Sequence, residues 1–118
     1  MQLKRHQTMK RASEFAMVRA QGSSAAGRFL VLSTLAYTGE GAGAKESRFG
    51  IITTKRLGHA VVRNLLRRRI REIVRAHGEP LQHGHYVVLI PRHTAATAAY
   101  TELEKDFQRL LKRKHFTN

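Results

Sequence analysis

The chain predicts an α+β sandwich, a single central sheet with helices packed on it. Three observations carry that expectation. Residues 60–76 and 103–111 repeat their apolar positions at helical spacing. Three short runs rich in Val, Ile, Leu, Phe and Thr, at 28–37, 48–54 and 85–91, read as strands. The elements then follow in the order helix, strand, strand, helix, strand, helix, within 118 residues, a length that suits one compact domain with a modest core.

Residues 1–11 carry Lys4, Arg5, Lys10 and Arg11 and no apolar periodicity; they are expected to form a basic, flexible arm. Ser13 is placed to cap a short helix bearing Phe15 and Val18 on one side, with Gly22 as its stop. GSSAAG at 22–27 reads as a loop. The first strand follows at 28–37. TGEGAGAKES holds three glycines and no large apolar residue, which suits an exposed loop. The second strand spans 48–54. Gly58 supplies a tight turn ahead of the helix at 60–76. Gly78, Pro80 and Gly84 then break the chain. The nearly continuous apolar run HYVVLIP predicts a strand buried on both faces. The last helix is expected to start between Thr97 and Thr101, with Thr101 and Glu104 at capping-box spacing. Leu103, Phe107, Leu110 and Leu111 face the core, and Lys112, Arg113 and Lys114 complement its C-terminus.

Charge narrows the function classes. With 22 Lys+Arg against 8 Asp+Glu, the formal net charge is +14. A field of that size attracts phosphates, and counterion release drives binding to nucleic acid. The hydrophobic content of 42% belongs to a globular domain and not to a disordered basic tail. A membrane surface and a merely soluble basic protein are weaker readings, because the charge is patterned. The absence of cysteine excludes disulfides, thiolate nucleophiles and cysteine zinc sites, and fits a reducing cytoplasm. No secretory h-region and no apolar run of the ~20 residues needed to cross a bilayer occurs.

The densest pattern is KRLGHAVVRNLLRRRIREIVR at 55–75, with Lys55 and seven arginines. On a helical wheel at about 100° per residue, Val62, Leu65, Leu66, Ile70, Ile73 and Val74 share one side. Arg63, Asn64, Arg67, Arg68, Arg71 and Arg75 share the other, with only Glu72 near its edge. Arg69 projects toward the apolar half; its stem is expected along the core edge and its head in solvent. A solvated charged face is the bland reading. Against it, like charges at i,i+4 destabilise a helix by a few tenths of a kcal/mol per pair, which an anionic ligand would relieve. Arginine suits bidentate phosphate contacts and base stacking, and Asn64 can reach a base edge or a sugar hydroxyl.

At these residues the chain resembles the protein subunit of bacterial ribonuclease P. The likeness rests on Thr54-Lys55-Arg56-Leu57-Gly58, Ala60-Val61-Val62-Arg63-Asn64 and Arg67-Arg68-Arg69-Ile70-Arg71-Glu72. It extends to Lys10-Arg11, Glu14-Phe15, Gly22 and Arg48-Phe49-Gly50. The resemblance implies the α-β sandwich of the second domain of ribosomal protein S5, with a left-handed βαβ crossover against the usual hand. It implies one RNA-binding domain over residues 1–118. It implies a component of an endoribonuclease holoenzyme that removes the 5′ leader of precursor tRNA. Catalysis would reside in the RNA, which holds Mg²⁺ to activate water, and one protein would partner each catalytic RNA. By the same likeness Lys55, Arg56, Arg63, Asn64, Arg67, Arg68, Arg71 and Arg75 meet the catalytic RNA. A cleft beside the first helix would hold the leader. Phe15 matches an aromatic of that cleft, with ordinary core packing as its other reading. Where some relatives place further aromatics, this chain has Arg19 and Ser33; Phe29 and Tyr37 are candidates to replace them.

Other chemistry is poorly supported. His83 and His85 flank a glycine without an acidic or cysteine partner nearby, and His59 reads by default as a surface histidine. The acids are too few and dispersed for a two-metal nuclease, and no nucleophilic triad order stands out. The chain is therefore expected to have no active site of its own. A ribosomal or ribosome-assembly RNA-binding protein without a nuclease role is the alternative.

Overall fold

A computed structural model describes residues 1–118. Three helices, α1 (Ala12–Gln21), α2 (Ala60–His77) and α3 (Tyr100–Arg113), pack on a four-stranded sheet. Its strands are β1 (Ser23–Ala26), β2 (Leu30–Ala36), β3 (Arg48–Ile51) and β4 (His85–Pro91), in the spatial order β1-β2-β4-β3. Only β3 and β4 are parallel, and α2 connects them.

Strand alternation divides the sheet into two faces. Leu30, Leu32, Phe49, Val87 and Leu89 join one core with Leu66, Ile70, Ile73 and Val74 of α2 and Leu103, Phe107, Leu110 and Leu111 of α3. On the opposite face Val88 meets Val18 of α1 and Met9, with Phe15, Leu35, Ile52, Tyr86 and Ile90 half-buried around them. β4 is thus buried on both faces, as its unbroken apolar run predicts. α2 also matches its predicted stripe. Gly58 precedes it with φ +128°, a backbone that a side chain would strain.

Five expectations need correction. Residues 23–26 form a strand and not a loop. SSAA has no apolar alternation, but Ser24 and Ser33 join hydroxyls at 2.6 Å across the β1–β2 pair. Lys114 and Arg113 donate to the Ser23 and Ala26 carbonyls at 3.0 and 2.7 Å.

The N-terminal arm is docked. Thr8 bridges Phe49 in parallel, and the Met9 N–H donates to the Phe49 carbonyl at 2.7 Å. The Gln7 amide reaches the Ser47 carbonyl at 3.1 Å, and the terminal amine reaches the Arg75 carbonyl at 2.6 Å. Buried Gln7 and Met9 anchor the segment along the β3 edge.

The helix caps differ too. α1 starts at Ala12, so Ser13 lies inside its first turn. At α3, Glu102 accepts from the Ala99 N–H at 2.9 Å, while Glu104 turns to His77 at 2.8 Å. Arg69 donates to the Ala98 carbonyl at 3.3 Å instead of ending free in solvent.

Asp106 ties α3 to the start of β2. Its buried carboxylate accepts from the N–H groups of Arg28, Phe29 and Leu30 at 3.1, 2.9 and 2.9 Å. Asp106→Ala leaves those donors without an acceptor and is expected to lower stability by about 3 kcal/mol, with a smaller loss for Asp106→Asn. Urea denaturation checks this; an alanine variant within about 0.5 kcal/mol of wild type, the range of ordinary surface substitutions, would remove the carboxylate from the stability argument.

Candidate nucleic-acid interface

The apolar stripe of α2 fixes its roll, and the roll decides where the arginines go. With Leu66, Ile70, Ile73 and Val74 buried, Asn64, Arg68, Arg71 and Arg75 are exposed and Arg63 and Arg67 half-buried. Arg67 donates to the Asn64 side chain at 3.0 Å, which orients the amide. The short 3-10 turn Lys55–Leu57 buries Leu57 and leaves Lys55 and Arg56 exposed beside the start of α2. The first turn of α2 has no acid, and its N-cap, His59, makes no side-chain cap, so the helix dipole adds to the positive field there. The eight predicted residues of this group therefore occupy one helix and the turn that leads into it.

Val61 was not among them. It is 79% exposed and, at i−3 from Asn64 and i−7 from Arg68, shares their side of the helix. The wheel would have found it, as an apolar residue off the buried stripe.

Arg67, Arg71 and Arg75 also wall a cavity of about 330 Å³ closed by Leu3, Lys4, Arg5, Thr8 and Met9 of the arm. The arm thus brings Lys4 and Arg5 alongside the arginine row.

The surface is uncompensated because most acids are occupied internally. Glu14 pairs with Arg48 at 3.3 Å, Glu46 with Lys4 and His6 at 3.1 Å each, and Glu104 with His77. Glu102 serves the α3 cap and Asp106 the β2 entry. Only Glu40, Glu72 and Glu79 of the eight acids remain outside these ties.

The predicted leader cleft is only partly assembled. Phe15 lies over Gly50, where a Cβ would come within 2.4 Å of its ring; the missing side chain makes room for the aromatic. Phe15 and Arg19 share a depression of about 430 Å³ along α1 with Ala12, Ala16 and Ala20. Ser33 points to the same sheet face, but it is 5% exposed and bonded to Ser24. Phe29 is 7% exposed and belongs to the core on the other face. The structure therefore removes Phe29 from the cleft and leaves Ser33 beneath its surface.

A second opening lies on this face beside the N-terminal 3-10 turn Arg5–Gln7, where Leu35, Tyr86 and Arg48 stand in one row across β2, β4 and β3. Tyr37 meets Tyr86 edge to face, with centroids 4.7 Å apart. Burial first, and then the neighbouring Tyr86 phenol, push the Tyr37 hydroxyl up from its ordinary pKa. No group of three or more His, Cys, Asp or Glu side chains gathers anywhere in the chain, and no helix is long and apolar enough to cross a membrane.

An α+β sandwich with one single-signed helix face is the frame of a polyanion-facing domain. Known proteins share that frame. A sequence model of the family described as Ribonuclease P matches residues 3–115. The ribonuclease P protein component of Syntrophomonas wolfei is 32% identical over 105 residues, covering 89% of this chain and 84% of the relative. That of Symbiobacterium thermophilum is 35% identical over 111 residues, covering 94% and 93%. The structure of the Staphylococcus aureus RNase P protein superposes with TM-score 0.81 at 26% identity, covering 94% and 97%. The chain belongs to the ribonuclease P protein family.

The tie between arm and body has a pH sign. The side-chain hydrogen bonds from Lys4, and then from His6, hold the Glu46 carboxyl below its ordinary range. A depressed carboxylate contributes its attachment above its unfolded pKa and loses it as pH falls through the folded one. Amide exchange at Met9 is expected to accelerate as pH drops below about 4.5, the ordinary value for this group, beyond the intrinsic pH dependence of exchange. Glu46→Gln is expected to lack that step; an identical profile in the variant would exclude Glu46 as the latch.

Proposed function

We propose that this chain is the protein subunit of a ribonuclease P holoenzyme that matures the 5′ end of precursor tRNA in the cytoplasm. Membership of the family supports the subunit assignment. The single observation that carries the interface is the one-signed side of α2, on which Arg63, Asn64, Arg67, Arg68, Arg71 and Arg75 stand together with Lys55 and Arg56 close by. In this reading that side binds the catalytic RNA, one protein per RNA, through phosphate contacts. Val61 adds an apolar contact among them.

The leader of the precursor runs along α1, where Phe15 offers a ring edge and Arg19 a cation. With Ser33 buried, this stretch holds the backbone by charge more than it stacks bases. The chemistry belongs to the RNA, whose Mg²⁺ would activate the water that cleaves the phosphodiester. The protein contributes binding and neutralises phosphate repulsion between two RNAs. A ribosome-assembly role has no observation in its favour beyond charge.

The test mixes the full chain with a bacterial ribonuclease P RNA and precursor tRNA at low Mg²⁺. Enhanced cleavage is expected, and no enhancement at any ionic strength would overturn the proposal. Arg68→Ala is expected to reduce the log–log salt slope of RNA binding by about one unit; an unchanged slope would take that arginine out of the interface. Phe15→Ala, if folded, is expected to weaken binding of leader-bearing precursors more than leaderless tRNA. Equal losses would assign the ring to packing over Gly50.

A further inference from the structure

We propose that the outer face of α3, where Lys105, Arg109 and Lys112 stand in a row beside Gln108, is a second docking surface, fitted to the backbone of a double-helical segment of the catalytic RNA. The inference rests on the subunit reading above and adds a contact apart from the arginine side of α2.

Helical spacing builds the row. At about 100° per residue, Lys105, Arg109 and Lys112 fall within roughly 60° of one another. They lie opposite the buried stripe Leu103, Phe107, Leu110 and Leu111, and all three are exposed. Their i,i+4 and i,i+3 spacings set like charges side by side, which weakens a helix. The acids of the same helix do not offset that repulsion. Glu102 is turned to the Ala99 N–H at 2.9 Å, and Glu104 to His77 at 2.8 Å.

Two neighbours show what these three cations do not do. Arg113 and Lys114, at the end of α3, donate to the Ala26 and Ser23 carbonyls at 2.7 and 3.0 Å and so hold β1. Lys105, Arg109 and Lys112 make no side-chain hydrogen bond or ion pair within the chain. They hold nothing in the fold and are free to meet an anion.

The row also borders a depression of about 370 Å³, shared with Gln108, Thr117 and Asn118. The last residues reach it through a turn. His115 is left-handed at φ +64°, and the Phe116 N–H donates to the Leu111 carbonyl at 2.8 Å. The Phe116 ring meets His85 edge to face, with centroids 5.2 Å apart.

This lining selects duplex RNA. It offers cations, two amides and a hydroxyl, with no apolar residue and no aromatic ring. Single strands call for stacking surfaces. An A-form duplex is met across its shallow minor groove through phosphates and 2′-hydroxyls. The cations suit the phosphates, and the amides and hydroxyl suit the sugars. The Gln108 amide nitrogen lies 3.4 Å from the His77 ring, which leaves its oxygen to accept. A membrane would need an apolar contact, and the exposed large apolar side chain, Val61, belongs to α2.

Position assigns the RNA. α2 and α3 pack on one face of the sheet and α1 on the other. A folded RNA seated on α2 can continue over α3, whereas a strand along α1 lies behind the sheet. The His77–Glu104 pair stands at the seam between α2 and α3, so the α3 row is a separate contact.

The test exploits the absence of cysteine. A hydroxyl-radical-generating iron chelate is attached at Thr101→Cys, an exposed position on the same side of α3, in the holoenzyme bound to precursor tRNA. Cuts are expected on both strands of one helix of the catalytic RNA, at nucleotides distinct from those cut by the same probe at Val61→Cys. The triple variant Lys105→Gln, Arg109→Gln, Lys112→Gln is expected to lower the log–log salt slope of RNA binding by about three units, one per lost phosphate contact. An unchanged slope in the folded triple variant would overturn the proposal. So would cuts from Thr101→Cys that fall only in single-stranded segments or only in the precursor tRNA. If the triple variant does not fold, the tethered probe decides alone. Cuts from Val61→Cys with none from Thr101→Cys would overturn this inference and leave the parent reading standing. No cuts from either probe, with no effect of Arg68→Ala on the slope, would overturn both.

Discussion

Burial of one side of α2 makes its other side possible. Leu66, Ile70, Ile73 and Val74 are all but inaccessible, and each contributes on the order of 1.5–3 kcal/mol by leaving water. The like-charged i,i+4 pairs Arg63–Arg67, Arg67–Arg71 and Arg71–Arg75 each cost about 0.2–0.5 kcal/mol. Even with burial discounted for a compact unfolded chain, the apolar side outweighs the repulsion several-fold. The helix therefore needs no acidic partners to persist, and the sequence is free to place its carboxylates elsewhere. Five of the eight go to a cap, to the entry of β2, to the arm, to the α1–β3 contact and to the α2–α3 seam, where each holds something together. The net charge of +14 is a count; its concentration on the surface follows from where the acids went.

Elements with a strong period were legible from the chain. β4 was placed at its observed bounds, and α2 to within a residue, because each is apolar on the side or sides that the core demands. β1 was not, since SSAA carries no alternation and its partners, Ser33 and the end of α3, are remote in sequence. The arm escaped for the same reason. It is held by single ties to Glu46, Ser47 and Phe49, some forty residues away, and periodicity has no access to such contacts. At α3 the spacing Thr101–Glu104 was a true pattern in the wrong place. The helix starts at Tyr100, so Glu102 is the residue within reach of the N-cap N–H, and Glu104 is released to meet His77.

The site was legible where it is local and illegible where it is assembled. The α2 residues share one helix, so spacing alone groups them. Phe29 shows the opposite case. Simple alternation from Val31 and Ser33 would put it on the α1 side of the sheet. Yet three successive N–H groups, of Arg28, Phe29 and Leu30, converge on the one carboxylate of Asp106. In an extended strand successive N–H groups point in opposite directions, so the backbone here must curl. The curl breaks the alternation and turns Phe29 into the helix-side core. A residue in α3 thus decides which face an aromatic some eighty positions earlier will join.

The same reasoning explains why the arginine face and the opening beside Tyr37 and Tyr86 keep a set relation. Leu3, Lys4, Arg5, Thr8 and Met9 wall the cavity on α2, while His6 and Gln7 wall the opening beside Tyr37 and Tyr86. One short stretch of backbone is therefore a boundary of both. It is pinned between them by the Thr8–Phe49 bridge and the Gln7–Ser47 hydrogen bond, and β3 in turn is zipped in parallel to β4. Displacing the stretch toward either opening would break the bridge and expose Met9 and Gln7, both now buried. The two openings therefore share a common wall whose position is set by the edge of the sheet. That is a constraint neither cavity could impose alone.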